Sequence, residues 1–136
     1  MLYLLDTDTS SYLIKGKSPV IERKIALIPP TQIAISAVTQ AELMYGLKRI
    51  PPQHRLHLAV REFLKIVRVL PWGPESSDAY AEIRNQLVTT GQPIGEMDMM
   101  IAAQALALSA TLVTNNIRHF ERIKAPMILE NWTEAP

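Results

Sequence analysis

The chain has 136 residues, which at roughly 150 residues per domain allows one compact domain across residues 1–136 and no second core. Apolar residues make up 48% and charged residues 20%, so a chain of this size can bury about two-thirds of its unfolded surface, which excludes disorder, collagen and coiled coil. Fourteen Lys and Arg against thirteen Asp and Glu leave a net charge of +1; any nucleic acid or acidic lipid must therefore be met by a local patch. No cysteine occurs, so disulfides, zinc knuckles and a thiolate nucleophile are excluded, and a cytoplasmic location is the expectation. Asp6 interrupts the apolar start Met1–Leu5 well short of a signal peptide, so export is not expected. The uncharged run Met99–Ile117 approaches membrane-spanning length. It carries Gln104, Ser109, Thr111, Thr114, Asn115 and Asn116, however, and reads as a soluble helix followed by a buried strand, with no membrane partner.

Leu2–Leu5 is a short apolar run that predicts a buried strand, and the Asp, Thr and Ser side chains from Asp6 onward supply acceptors that start a helix. Val20, Ile21, Ile25 and Ile28 repeat at helical spacing before Pro29-Pro30, and Gln32–Ile35 reads as a second strand. Ala37–Ile50 is predicted helical. After Pro51-Pro52, the stripe Leu56, Val60, Phe63 and Val67 marks another helix, and Arg68–Leu70 a short strand closed by Pro71. Tyr80, Ile83 and Leu87 mark a helix ending near Gly91, Asp98 opens the next, and Leu112–Thr114 and Met127–Leu129 complete the strands. This alternation predicts an α/β fold with a mostly parallel sheet covered by helices on both faces, whose ligands sit beyond the carboxyl ends of the strands.

Of the four Asp residues, Asp6, Asp8 and Asp98 fall at predicted element ends rather than on solvated helix faces. Asp6 follows a buried strand at its carboxyl end, where parallel sheets form their sites. Either Asp6 or Asp8 could instead cap the following helix, and Asp8 is the better capping candidate because strand register already places Asp6 at the sheet edge. Glu42 lies early in the helix after the second strand and can reach the same edge. Thr39-Gln-Ala-Glu42 is also a capping-box pattern, which disappears if the helix starts at Ser36. Asp98 reads as a helix N-cap, a role compatible with binding a cation. Thr114, Asn115 and Asn116 bring hydroxyl and amide groups to the edge, or form a turn.

Convergence of these groups favours function, because packed carboxylates repel one another unless a cation neutralises them. Oxygen donors without Cys or a His cluster favour Mg²⁺ or Mn²⁺ over Zn²⁺. Such a site suits phosphodiester hydrolysis, in which the cation orients and activates water and stabilises charge on the phosphate. Metal-free RNA cleavage through His54, His57 and His119 is the weaker reading, since two of them lie beside a helical apolar stripe. Lys48, Arg49, Arg55, Arg61, Lys65 and Arg68, opposed by Glu62, and the smaller group Arg118, Arg122 and Lys124 read mostly as solvated faces, with a subset able to track phosphates. Trp72 and Trp132 read as packing residues.

The motifs Leu4-Leu-Asp-Thr-Asp-Thr, Ile35-Ser-Ala-Val-Thr-Gln-Ala-Glu-Leu-Met-Tyr-Gly, Pro93-Ile-Gly-Glu-Met-Asp-Met-Met-Ile-Ala-Ala, Leu112-Val-Thr-Asn-Asn-Ile-Arg-His-Phe and Leu129-Glu-Asn-Trp occur in order across nearly the whole chain. Together they resemble the PIN-domain ribonucleases and, within them, the VapC toxins of toxin-antitoxin pairs. The resemblance implies a PIN fold, Mg²⁺- or Mn²⁺-dependent endoribonuclease activity that arrests translation, with tRNA among the targets of relatives, a homodimer, and a VapB-type antitoxin whose tail covers the acidic site. It makes Asp6, Glu42 and Asp98 the catalytic and metal-binding acids, with Asp8, Ser36, Thr114 and Asn116 as supporting polar groups. Asn116 stands where many PIN domains have a fourth acid, which implies one firmly bound metal, and Asp8 stands where many relatives have Asn.

Two other classes fit parts of the pattern. Leu4-Leu-Asp-Thr-Asp-Thr also matches the start of a HAD-type phosphatase with Asp6 as nucleophile, but there the final acid follows the Thr, whereas Asp98 precedes Thr114. A PIN-like module that binds RNA or protein without catalysis is the other, and DNA cleavage shares the same chemistry.

Overall fold

The computed structural model describes residues 1–133. The chain runs β1 (Tyr3–Leu5), α1 (Thr7–Lys15), α2 (Pro19–Ala26), β2 (Ile33–Ser36), α3 (Ala37–Lys48), α4 (Leu56–Ile66) and β3 (Arg68–Leu70). It continues with α5 (Pro74–Thr89), α6 (Glu96–Ala107), β4 (Thr111–Val113), α7 (Ile117–Phe120) and β5 (Ile128–Glu130). The five strands form one sheet in the order β3-β2-β1-β4-β5, with every pairing parallel. Leu4 stands opposite Ala34 on one side and Leu112 on the other.

Strand alternation divides the interior into two cores. Leu4, Ala34 and Leu112 point to one face and pack with Ile83 and Leu87 of α5, Met99 and Ile101 of α6, and Phe120 of α7. Leu5, Ile33, Ile35 and Val113 point to the other and meet Ile21 of α2, Leu43 of α3, and Val60 and Phe63 of α4. Trp132 joins this second core with its ring centroid 5.2 Å from that of Tyr3, in the packing role expected of it. Both faces of the sheet are thus covered, which is why its strands read as continuous apolar runs.

The order of strands creates the crevice. From β1 the chain moves outward through β2 to β3, then returns to the other side of β1 for β4 and β5. Connections leaving β1 and β4 therefore diverge, and the gap beyond their carboxyl ends is the switch point of the sheet.

Several element ends differ from the sequence reading. β2 starts at Ile33 rather than Gln32 because Pro30–Gln32 forms a 3-10 turn ahead of it, and it runs one residue further, to Ser36. β4 begins at Thr111, a polar residue that is nonetheless buried. β5 begins one residue later than expected, α3 ends at Lys48, and α5 already starts at Pro74. Ser36 caps α3 by accepting a hydrogen bond from the Val38 N–H at 2.9 Å, so the Thr39–Glu42 capping box does not form. Gly95 caps α6 with no side-chain acceptor, leaving Asp98 inside the first turn rather than at the N-cap. There its charge still favours the helix dipole.

Gln104, in the apolar run of α6, is buried and ties this helix to the end of β3. Its Nε2 donates to the carbonyls of Leu70 at 3.1 Å and Pro71 at 3.0 Å. Gln104→Leu is expected to lower stability by about 1–3 kcal/mol by stripping those carbonyls of a donor, measurable by urea unfolding; an unchanged midpoint would contradict this anchoring role.

Candidate active site

Asp6 terminates β1 and is only 3% exposed. Its backbone N–H donates to the Val113 carbonyl at 3.0 Å, which carries the β1–β4 pairing one step past the strands. Its Oδ1 accepts from the Thr9 N–H at 2.8 Å, so Asp6 rather than Asp8 is the N-cap of α1. The expectation for Asp8 fails because β1 stops at Leu5, which leaves Asp6 as the last extended residue, and Asp8 falls in the first turn of the helix. Burial raises the Asp6 pKa above the usual carboxylate range; hydrogen bonds from the Thr114 hydroxyl and from Thr9 oppose that rise, and the charge of Asp8 adds to it.

Thr114 and Ser36 are fully buried at the ends of β4 and β2, and the Thr114 Oγ1 accepts from the Asn116 N–H at 3.0 Å. Asn116 itself is exposed. Asp98 has its Oδ2 3.2 Å from His119 Nε2. Burial raises its pKa, His119 works against that, and Asp8 again pushes upward. Asp8 is thus the one carboxylate whose charge acts on both Asp6 and Asp98.

Glu42 lies in the second turn of α3, with Oε1 accepting from the Thr7 hydroxyl at 2.7 Å. Thr7 Oγ1 is also 3.1 Å from Thr39 Oγ1, so a hydroxyl pair bridges α1 and α3 beside Asp6. Each acid therefore has its own protein donor: Thr9 for Asp6, Thr7 for Glu42 and His119 for Asp98. Among the described residues no three Asp, Glu or His side chains gather tightly enough to enclose a metal ion.

Nothing local in the sequence pairs His119 with Asp98 or Thr7 with Glu42. Thr7 had a usable signal, being the residue between two candidate acids. His119 lies beyond Asn116 in a four-residue helix whose contact with α6 exists only in the tertiary structure. No helix among the described residues is long and apolar enough to cross a membrane.

A parallel α/β domain with carboxylates, hydroxyls and amides at its switch point belongs to the class of open α/β sheets whose ligands sit beyond the carboxyl ends of the strands. Residues 3–126 match the PIN domain family model, and the chain belongs to that family. It is 35% identical over 133 residues to ribonuclease VapC2 of Rickettsia felis, covering 97% of this chain and 98% of that one. It is 34% identical to the tRNA(fMet)-specific endonuclease VapC of Salmonella typhimurium, covering 96% of this chain and 97% of the relative. The crystal structure of VapBC2 from Rickettsia felis bound to a promoter DNA fragment contains a chain that superposes with a TM-score of 0.89 at 35% identity, over 97% of this chain and 99% of that chain.

The raised Asp6 pKa has a defined consequence for stability. A carboxyl that holds its proton more tightly folded than unfolded binds more protons in the native state between the unfolded value, 3.8, and its raised value. Stability then falls as pH rises through that window and the full cost is present above it. Asp6→Asn, which keeps the capping oxygen, is expected to raise the Tm of EDTA-treated protein at neutral pH, with the gain vanishing toward pH 3.8. A gain that persists unchanged at acid pH would contradict the assignment of that cost to an ionised Asp6.

Proposed function

We propose that this chain is a cytoplasmic endoribonuclease toxin of the VapBC type, which hydrolyses RNA phosphodiester bonds with Mg²⁺ or Mn²⁺ and thereby inhibits translation. Asp6 carries the reading: a buried acid at the switch point, in a chain similar over 97% of its length to a VapC ribonuclease. tRNA is the favoured substrate class, by likeness to a relative named for tRNA(fMet). The working unit is a homodimer.

The donor set fits a small hard cation, since Asp6, Asp8, Glu42, Asp98, Thr114 and Asn116 offer oxygen ligands. Mg²⁺ is held through one or two carboxylates together with water and substrate phosphate oxygens. Asp6 and Asp98 are the first choices, with Glu42 completing the catalytic acids and Asp8 or Asn116 lending outer oxygens. When bound, such an ion supplies an activated water and neutralises charge at the scissile phosphate. The chain's own contribution is positioning. The Thr9 N–H fixes Asp6, His119 orients Asp98, and the Thr7 hydroxyl aims Glu42 from α3.

A VapB-type antitoxin is the protein partner, and the structural relatives in VapBC complexes support it. Beside the acids, a groove of about 250 Å³ between α1, α3 and α4 is lined by Thr7, Ile14, Glu42, Leu47, Ile50 and Leu56, among others. Its apolar walls suit an antitoxin segment, and its rim includes the catalytic Glu42, so an occupant would also screen the site.

Antitoxin-free protein is expected to cut total cellular RNA into discrete fragments with Mg²⁺ or Mn²⁺, to stop in EDTA, and to lose roughly a hundredfold or more of its rate in Asp98→Asn. Gel analysis of the RNA checks this, with circular dichroism to confirm folding. Cleavage indifferent to EDTA and to Asp98→Asn would overturn the metal mechanism. A folded protein that binds RNA without cutting it would favour a non-catalytic module.

A further inference from the structure

Asp8, Ser11, Tyr12 and Lys15 fall on one face of α1 at i, i+3, i+4 and i+7. The stripe runs from the acidic edge outward for about 10 Å, at roughly 1.5 Å per residue. At its end Gly16 adopts the left-handed conformation, φ 66°, and the helix closes in a Schellman turn. The Gly16 N–H donates to Leu13 and the Lys17 N–H to Tyr12, both at 3.1 Å, which folds Lys17 back beside Lys15. Asn115, leaving β4 at the switch point, forms the opposite wall. Together these residues bound a polar cleft of about 290 Å³. Both lysines are exposed, neither forms an ion pair among the described residues, and the Tyr12 side chain is accessible to solvent.

The cleft shares Asp8 with the acidic edge, while Ser11 and Lys15 form the ridge that separates it from the apolar groove on the other flank of α1. The two flanks of one helix thus differ in chemistry: greasy toward α3 and α4, charged toward Asn115. We propose that the charged cleft seats the RNA strand immediately beside the scissile phosphate, with Lys15 and Lys17 holding a flanking phosphate and Tyr12 stacking on the adjoining base. The inference rests on the ribonuclease reading and assigns its substrate track. A polyanion is the occupant that matches two unpaired ammonium groups, and a single-stranded segment is the form that leaves a base free to stack. The path leads from the lysines straight to Asp8, so a strand held there delivers its next phosphate to the acids.

Steady-state cleavage of total tRNA by wild type, Lys15→Ala/Lys17→Ala and the control Arg23→Ala/Lys24→Ala tests this, since the control removes equal exposed charge on α2, outside the cleft. Loss of the two ammonium groups that hold one phosphate of a single strand is expected to raise KM roughly tenfold at physiological salt and to flatten the slope of log KM against log salt by about 0.7. The turnover at saturation should stay near wild type, and the control pair should behave as wild type. Tyr12→Ala should raise KM several-fold and Tyr12→Phe restore it, because the ring stacks without its hydroxyl. An active cleft variant with wild-type KM and salt slope would overturn the substrate track alone. Equal losses in both pairs would reduce the effect to general charge, and an unchanged RNA KM with a weakened antitoxin complex would give the cleft to the protein partner; either overturns the proposal. Wild type that cuts no RNA in metal would remove the ribonuclease reading first, and the track with it.

Discussion

Keeping a carboxylate at the carboxyl end of the central strand almost wholly out of water is costly, and the architecture around Asp6 is organised by that cost. The backbone of Asp6 continues the β1–β4 ladder, its side chain caps α1, and Thr114 and Thr9 stabilise its ionised form. These interactions reduce the penalty without removing it, since burial still dominates and Asp8 adds like charge. An acid in that condition gains most from a cation, and the proposed hydrolysis of a phosphodiester rests on that gain.

The remaining acids reach the same edge by different routes, each with a support of its own. Glu42 arrives on α3 because Ser36 starts that helix directly at the end of β2, and Thr7 then bonds it from α1. Asp98 arrives in the first turn of α6 because Gly95 caps it, with His119 reaching across from α7. The helix that Asp6 caps also divides the surface around the site, with an apolar groove on one flank and a basic cleft on the other. A protein inhibitor and an RNA substrate can therefore approach the same acids over different walls.

Burial on both faces made the strands legible, since Tyr3–Leu5 and Ile33–Ser36 are nearly unbroken in apolar character. The alternation with helical stripes then led to a parallel α/β sheet. Edges were harder, because Thr111 is polar yet buried and Gly95 competes with Asp98 as a cap. An Asp at the cap and an Asp one turn in both suit a helix dipole, so local preference does not separate them. The same ambiguity exchanged the roles of Asp6 and Asp8. Contacts that exist only after folding carried no local mark: His119 meets Asp98 from a four-residue helix. Lys15 and Lys17 carry no local mark either, since it is the Schellman turn after α1 that brings them to one cleft.

Locating a divalent ion directly would test the central claim, that the switch point of this sheet is a cation site built on Asp6 and Asp98. Crystals soaked in Mn²⁺ and recorded at its absorption edge should show one strong anomalous peak within direct coordination distance of both carboxylates, and Asp6→Asn should lose it. A peak confined to other residues, or one at the edge that survives Asp6→Asn unchanged, would contradict the account.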